Sequence, residues 1–248
     1  KGYIDNFHKF DIFDSFTENG ILLPLNSPLI NHRWDSLVKL YGTPSPANAD
    51  VVFDHSHIKA DYLIENIDLS FKVRDMSTWG RAMPFEQFCE YVLAYRFQHE
   101  PLEPWRSYFY EKFKTIKDSV KADSIIQLAR AIHKQSSHSL VFNELFNIFP
   151  FNIPLHKMEK RRYGSCSDIA VYTSMLFRSV GLPVAIDYAP KWGNHPSGHV
   201  WNTLLMPDGK IVSFQGDADI FETLFLKKVA KIFRNTYARQ NNNFTGSE

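Results

Sequence analysis

The sequence contains few cysteines and no long hydrophobic run. Its 248 residues include only two cysteines, Cys89 and Cys166, which are too few for a disulfide framework. No stretch of 18 or more apolar residues occurs, so no membrane-spanning helix is expected. Lysine and arginine total 28 and aspartate and glutamate total 27, and this balance gives no reason to expect a nucleic acid partner. The metal-binding patterns C-x-x-C and H-E-x-x-H are also missing.

The composition is that of a folded protein with a large core. Apolar residues make up 44% and charged residues 22% of the chain, close to the average for globular domains. Aromatic residues reach 15%, with 21 phenylalanines, which predicts well-filled cores and an aromatic-lined surface or cleft. The length suits one large domain or two modest ones.

The first half of the chain has the apolar periodicity of helices. Helical spacing predicts four helices, over residues 57–73, 84–97, 106–118 and 123–135. Cys89 falls on the apolar face of the second helix and is expected to be a packed side chain. We therefore expect residues 1–120 to form a mainly helical N-terminal region that packs on a core formed by residues 121–248.

The pattern changes after about residue 163. A helix is predicted over residues 166–180, followed by a stop signal at Gly181. Residues 184–189 alternate like a strand, and residues 199–206 and 210–216 read as a hairpin joined by a Pro-Asp-Gly turn. A helix followed by an antiparallel sheet indicates the α+β class.

Cys166 stands at the start of the 166–180 helix. Ser165 suits the N-cap, and Asp168 three residues later gives an acidic variant of the capping box. The unpaired amides and the positive end of the helix dipole favour a thiolate there and are expected to lower the thiol pKa. The same amides could stabilise an oxyanion on a substrate carbonyl. The pattern indicates a nucleophile.

A thiolate nucleophile needs a histidine that is oriented by a third polar group. His199 begins a predicted strand and is the candidate base. Three residues near the end of the neighbouring strand compete for the third position: Gln215, Asp217 and Asp219. An acid would stabilise imidazolium better than an amide, and on this ground Asp217 is favoured.

Several of these residues together resemble a known family, the transglutaminase-like superfamily. Its sequences show G-x-C before a helix that ends R-x-x-G-[IL]-P, and then H-[AV]-W. The matching positions here are Gly164, Cys166, Arg178, Gly181, Leu182, Pro183, His199, Val200 and Trp201. The resemblance covers roughly residues 123 to 220.

The resemblance implies a papain-like core with a Cys-His-Asp triad. It also implies a cysteine-dependent hydrolase or acyltransferase that acts on peptide or carboxamide bonds of a peptide or protein, without a metal or organic cofactor. Tyr163 would be a second oxyanion donor and Trp192 a wall of the cleft. The family's register places Gln215 where the aspartate is expected.

The helical first half also resembles exported transglutaminase-like proteins of Bacteroides-type bacteria. The segments FEQFCEYVLAYR and EPLEPWR carry this likeness. It implies a location in the periplasm or at the cell surface, with a lipid anchor on an N-terminal segment that precedes residue 1.

Two other interpretations stay open. The first is a catalytically silent domain that binds peptide or glycan at the cell surface, which the glutamine in place of an acid would favour. The second is a zinc site formed by Cys166, His195, His199 and Asp217, which lacks the usual ligand spacing.

Overall fold

The protein is described by a computed structural model that covers most of the chain. The described residues are 2–4, 17–18, 21–23, 27–45, 51–119, 124–136, 139–148, 151–218, 228 and 231–238. The α-helices are α1 (Pro28–Tyr41), α2 (Asp54–His57), α3 (Ala60–Asp75), α4 (Thr78–Ala82), α5 (Phe85–Phe88), α6 (Trp105–Ser119), α7 (Ile125–Ser136), α8 (Leu155–Arg161) and α9 (Cys166–Ser179). A π-helical turn spans Cys89–Leu93 and a 3-10 helix spans Glu144–Ile148.

The longest strands lie in the second half of the chain. The strands are β1 (Gly2–Ile4), β2 (Thr17–Glu18), β3 (Ile21–Leu22), β4 (Val51–Phe53), β5 (Val141–Phe142), β6 (Tyr163–Gly164), β7 (Val184–Ala189), β8 (His199–Leu205), β9 (Ile211–Phe214) and β10 (Phe233–Arg234). Helices dominate the first half and an antiparallel sheet the second, which confirms the predicted α+β class.

One predicted helix is shorter than its apolar pattern suggests. Residues 84–97 were expected to be continuously helical, but the helical backbone ends at Leu93. The buried guanidinium of Arg106 donates to the carbonyls of Val92 and Ala94, at 2.7 Å and 3.3 Å. Because a side chain from α6 satisfies these carbonyls, the chain can leave the helix there without burying unpaired acceptors.

The principal sheet has four strands in the order β10-β7-β8-β9, and every neighbouring pair is antiparallel. The register pairs Ala189 with His199, so the histidine lies at one end of the sheet. Helix α9 packs against this sheet. The amide of Asn202 on β8 donates to the Ala170 carbonyl and to Ser174 Oγ, each at 2.9 Å, and so fixes the strand on the helix.

One main core joins the helical part to the sheet. Buried side chains of α6, α7 and α9 pack with those of β7, β8 and β9 in a single cluster, which includes Phe109, Leu128, Met175, Val184 and Phe214. The division of the chain near residue 120 stays a prediction. Among the described helices, none is long and apolar enough to cross a membrane.

Candidate active site

The start of α9 is built by the capping box that the sequence predicts. The Asp168 amide donates to Ser165 Oγ at 3.2 Å, and the Ser165 amide donates to the Asp168 carboxylate at 3.0 Å. Asp168 is buried and also accepts the Ile153 amide at 3.2 Å. Gly164 gives this carboxyl group its space, since a Cβ at residue 164 would lie 2.9 Å from the Asp168 Cβ. The backbone before Cys166 is therefore held rigidly.

Cys166 is half-buried at the first position of α9. Burial raises the pKa of the thiol and outweighs the nearby backbone N–H groups of Val200, Ser167 and Cys166 itself, which favour thiolate. The Asp168 carboxylate adds to the rise. The expectation that the helix start lowers this pKa is therefore wrong for the thiol in these surroundings, and an additional cation is needed to ionise it.

His199 lies directly beside the Val200 amide that contacts the sulfur. Its Nε2 lies 2.8 Å from Nε2 of Gln215, the first residue after β9. With the amide nitrogen as donor, the imidazole is neutral and carries its proton on Nδ1. A half-turn of the amide instead presents Oε1, which accepts a proton from Nε2 of an imidazolium. Gln215 can thus orient the ring in both protonation states.

Three aromatic rings stack at this end of the sheet. The centroid of the His199 ring lies 5.8 Å from that of Trp192 and 6.0 Å from that of Trp201, with interplanar angles of 29° and 22°. Trp192 and Trp201 are themselves stacked and buried. The two indoles restrict the imidazole to one plane, and their π-faces favour its cationic form.

A cavity of about 630 Å³ contains these groups. Its lining includes Cys166, His199, Gln215, Trp192 and Asp217. The structure therefore brings together the predicted nucleophile, the base and two of the three competing third residues, along with the predicted wall. Tyr163 is not among the described residues that line this cavity, and its side chain packs against the core.

The remaining candidates have other surroundings. Asp217 Oδ2 accepts the backbone amide of Phe142 at 3.1 Å, so this carboxylate joins the end of β9 to β5. Asp219 lies outside the described residues. His195 is exposed, with its Nδ1 2.8 Å from Ser197 Oγ. Within the described ranges, no group of three or more histidine, cysteine, aspartate or glutamate side chains is placed to hold a metal ion.

Gly216 is a positioning residue that the sequence patterns above do not single out. A Cβ at this position would lie 2.0 Å from Thr173 Oγ1 and 2.9 Å from Ile169 Cγ2 of α9. The missing side chain lets the segment that carries Gln215 approach the helix that carries Cys166. A glycine at the end of an otherwise regular strand was the available signal for such a close approach.

Replacing Gly216 with alanine is expected to destabilise the fold by about 1 to 3 kcal/mol, as overpacking of a tight contact does. Removing the opposing hydroxyl in a Gly216→Ala/Thr173→Ala double variant should restore part of the loss. Urea denaturation followed by circular dichroism measures both. Equal midpoints for wild type and Gly216→Ala would contradict the close contact.

Comparison with known proteins adds a family to this geometry. Residues 114–215 match the sequence model of the transglutaminase-like superfamily. Over these residues, which are fewer than half of the chain, the protein is similar to that superfamily. The matched residues include Cys166, His199 and Gln215 and end before Asp217. No curated protein matches the sequence.

One solved structure is also similar to this chain. It is the crystal structure of a candidate cysteine protease from Cytophaga hutchinsonii, with 14% sequence identity and a TM-score of 0.36. The alignment covers 79% of the present chain and 57% of that protein, so this chain spans little more than half of its length.

Proposed function

We propose that the protein is a cysteine-dependent hydrolase or acyltransferase that acts on peptide or carboxamide bonds. Cys166 is the nucleophile, His199 the general base and acid, and Gln215 the residue that orients the imidazole. One observation carries the proposal: a single cavity is lined by the sulfur of Cys166 at a helix start and by the imidazole of His199, whose Nε2 contacts the Gln215 amide. The similarity to the transglutaminase-like superfamily supports chemistry of this kind.

The reaction would begin with proton transfer from the thiol to the histidine. In the tautomer that accepts this proton, Nε2–H of His199 donates to Oε1 of Gln215 after the half-turn of the amide, and the bare Nδ1 takes the proton from the Cys166 thiol to give imidazolium. The thiolate then adds to the carbonyl carbon, and the N–H groups at the start of α9 stabilise the oxyanion. His199 protonates the departing amine as the tetrahedral intermediate collapses. Water or a second amine finally takes the acyl group from the sulfur.

The raised pKa of Cys166 makes His199 essential in this scheme. Burial keeps an isolated thiol protonated at neutral pH. An adjacent imidazolium favours the thiolate, as in other cysteine–histidine pairs. The ion pair therefore forms only with the histidine in place.

Gln215 takes the third position in the proposal, in preference to Asp217. The amide of Gln215 contacts His199, whereas the Asp217 carboxylate holds the backbone of Phe142. A glutamine orients the ring without adding a negative charge, so it fixes the geometry and stabilises imidazolium less than an aspartate would. A peptide or protein substrate and export to the periplasm or cell surface remain parts of the proposal.

Incubation with a mixture of unmodified peptides tests this function. The wild type is expected to cleave or deamidate a subset of the peptides, and Cys166→Ala is expected to leave all of them intact, as measured by mass spectrometry. Trapping an acyl-enzyme on Cys166 would identify the intermediate. Peptides that bind to the wild type but stay unchanged would favour the silent binding domain instead.

A further inference from the structure

A second cavity lies on the other side of Val200 from His199. It has a volume of about 450 Å³ and is lined by Phe97, Gln98, His99, Tyr188, Val200, Asn235 and Thr236. Val200 also lines the first cavity, and its backbone N–H lies near the Cys166 sulfur. The two cavities therefore adjoin each other beside the sulfur.

The first wall of the second cavity is a turn fixed by buried charges. The Glu100 carboxylate accepts the backbone amides of Phe97 and Gln98, at 2.7 Å and 2.8 Å. Arg96 is buried and makes a bidentate ion pair with the Asp54 carboxylate, with N···O distances of 2.5 Å and 2.8 Å. Burying these charges is costly, and here they hold a turn in one conformation. Gln98 and His99 can therefore contact a ligand in the cavity without a change in the conformation of the turn.

This wall is joined directly to the helix that carries the nucleophile. The hydroxyl of Ser167, the residue after Cys166, donates to Gln98 Oε1 and accepts from the Asn152 amide at 3.1 Å. The His99 backbone amide in turn donates to Asn152 Oδ1 at 3.4 Å. Oε1 of Gln98 already accepts a hydrogen bond from Ser167, so the side-chain nitrogen of Gln98 is the group that can donate a hydrogen bond to a ligand.

The opposite wall comes from the segment that follows β10. The Asn235 amide donates to the Ile186 carbonyl at 2.9 Å and continues the pairing with β7. The Glu90 carboxylate accepts the backbone amides of Tyr237 and Ala238. Asn235 and Thr236 are thus held from both sides, and Thr236 is exposed toward solvent.

The lining chemistry selects an uncharged ligand with hydrogen-bonding groups. The seven lining residues include two amides, one hydroxyl, one imidazole and one phenol, and none of them is aspartate, glutamate, lysine or arginine. An anionic or strongly cationic group would lose its hydration there without gaining an opposite charge. The main chain of a peptide offers alternating neutral donors and acceptors that fit such a lining.

The position of His199 decides which part of a substrate lies in each cavity. The leaving amine must be next to the imidazole that protonates it, so the leaving part lies in the cavity that His199 lines. The acyl part is bonded to the sulfur and extends to the other side of Val200. Resting on the proposed function, we propose that the second cavity binds the main chain of the acyl part of a peptide substrate.

Alanine peptidyl chloromethyl ketones of one, two and three residues test this assignment, because their side chains add no charge. The Cys166 thiolate displaces chloride and forms a thioether, which mass spectrometry quantifies. In the wild type, the alkylation rate constant is expected to rise about tenfold from the one-residue to the three-residue reagent, the equivalent of one well-formed hydrogen bond. Thr236→Trp fills the cavity and is expected to remove this rise.

Ile232→Trp is the matched control, since Ile232 is exposed on the same segment and does not line the cavity. It should keep the dependence on peptide length. Iodoacetamide, which has no peptide part, monitors the thiol in every variant. Equal rates for short and long reagents in the wild type would overturn the inference while leaving the proposed function intact. A Cys166 that iodoacetamide modifies no faster than Cys89 would instead contradict the proposed function.

Discussion

Replacing His199 with alanine is expected to slow the alkylation of Cys166 by iodoacetamide at pH 7 about a hundredfold. Burial raises the pKa of the Cys166 thiol above its ordinary value. A thiol whose pKa lies above its ordinary value is almost entirely protonated at pH 7, whereas a thiolate–imidazolium pair is mostly ionised. Since only the thiolate reacts, the rate constant follows the ionised fraction.

The pH dependence of the alkylation rate shows whether His199 lowers the pKa of the Cys166 thiol. In the wild type, the rate is expected to reach a plateau below pH 7, because the imidazolium lowers the thiol pKa. In His199→Ala, the rate should be low at pH 7 and rise about tenfold per pH unit toward alkaline pH. Identical profiles for the two proteins would contradict the pairing of Cys166 with His199.

Two internal references make this experiment specific. Cys89 is half-buried, and its pKa is raised by burial and by the Glu86 carboxylate, so it reports an unactivated thiol in the same molecule. His195→Ala removes an exposed imidazole that contacts Ser197 in the loop before β8. This variant should keep the wild-type profile, whereas a shift as large as that of His199→Ala would assign the effect to the loop.

Short-range sequence patterns predicted the helix and the strands that surround the Cys166 sulfur. Ser165 and Asp168 form the capping box that their spacing indicates, and α9 ends before Gly181 as its stop signal predicts. The alternation of residues 184–189 and the Pro-Asp-Gly turn correctly place β7 and the β8–β9 hairpin. These features depend on residues close in sequence, which is why a single sequence is enough to find them.

Features that depend on distant residues could not be predicted in this way. The pKa of Cys166 depends on burial by the fold, and no pattern near residue 166 indicates how much water is excluded. The helix over residues 84–97 is shortened by the guanidinium of Arg106 on another helix. The same limit applies to the charge argument that favours Asp217, because the contact with His199 is set by the register of β8 and β9 and by the close approach at Gly216. The family's register, in contrast, indicates Gln215.

Replacing Gln215 with leucine is expected to lower the rate of peptide cleavage about a hundredfold. Leucine keeps much of the volume but cannot hydrogen-bond to His199 Nε2, so the ring loses the group that orients it and that accepts its proton in the imidazolium form. Without that acceptor the imidazolium is less stable, and the high-pH limit of activity should move to lower pH. Cleavage of the peptide mixture between pH 5 and pH 10 measures the rate and the limit together.

Gln215→Glu separates orientation from charge at this position, because glutamate has nearly the same shape and adds a carboxylate. An opposite charge near imidazolium raises its pKa by about one to three units, so the high-pH limit should move upward, opposite to the leucine variant. Asp217→Asn removes the competing carboxylate and should leave this limit close to that of the wild type. If Asp217→Asn moved the limit downward while Gln215→Leu left it in place, Asp217 would be the residue that stabilises the imidazolium. Opposite shifts for the two Gln215 variants would instead show that an amide serves where an acid is expected.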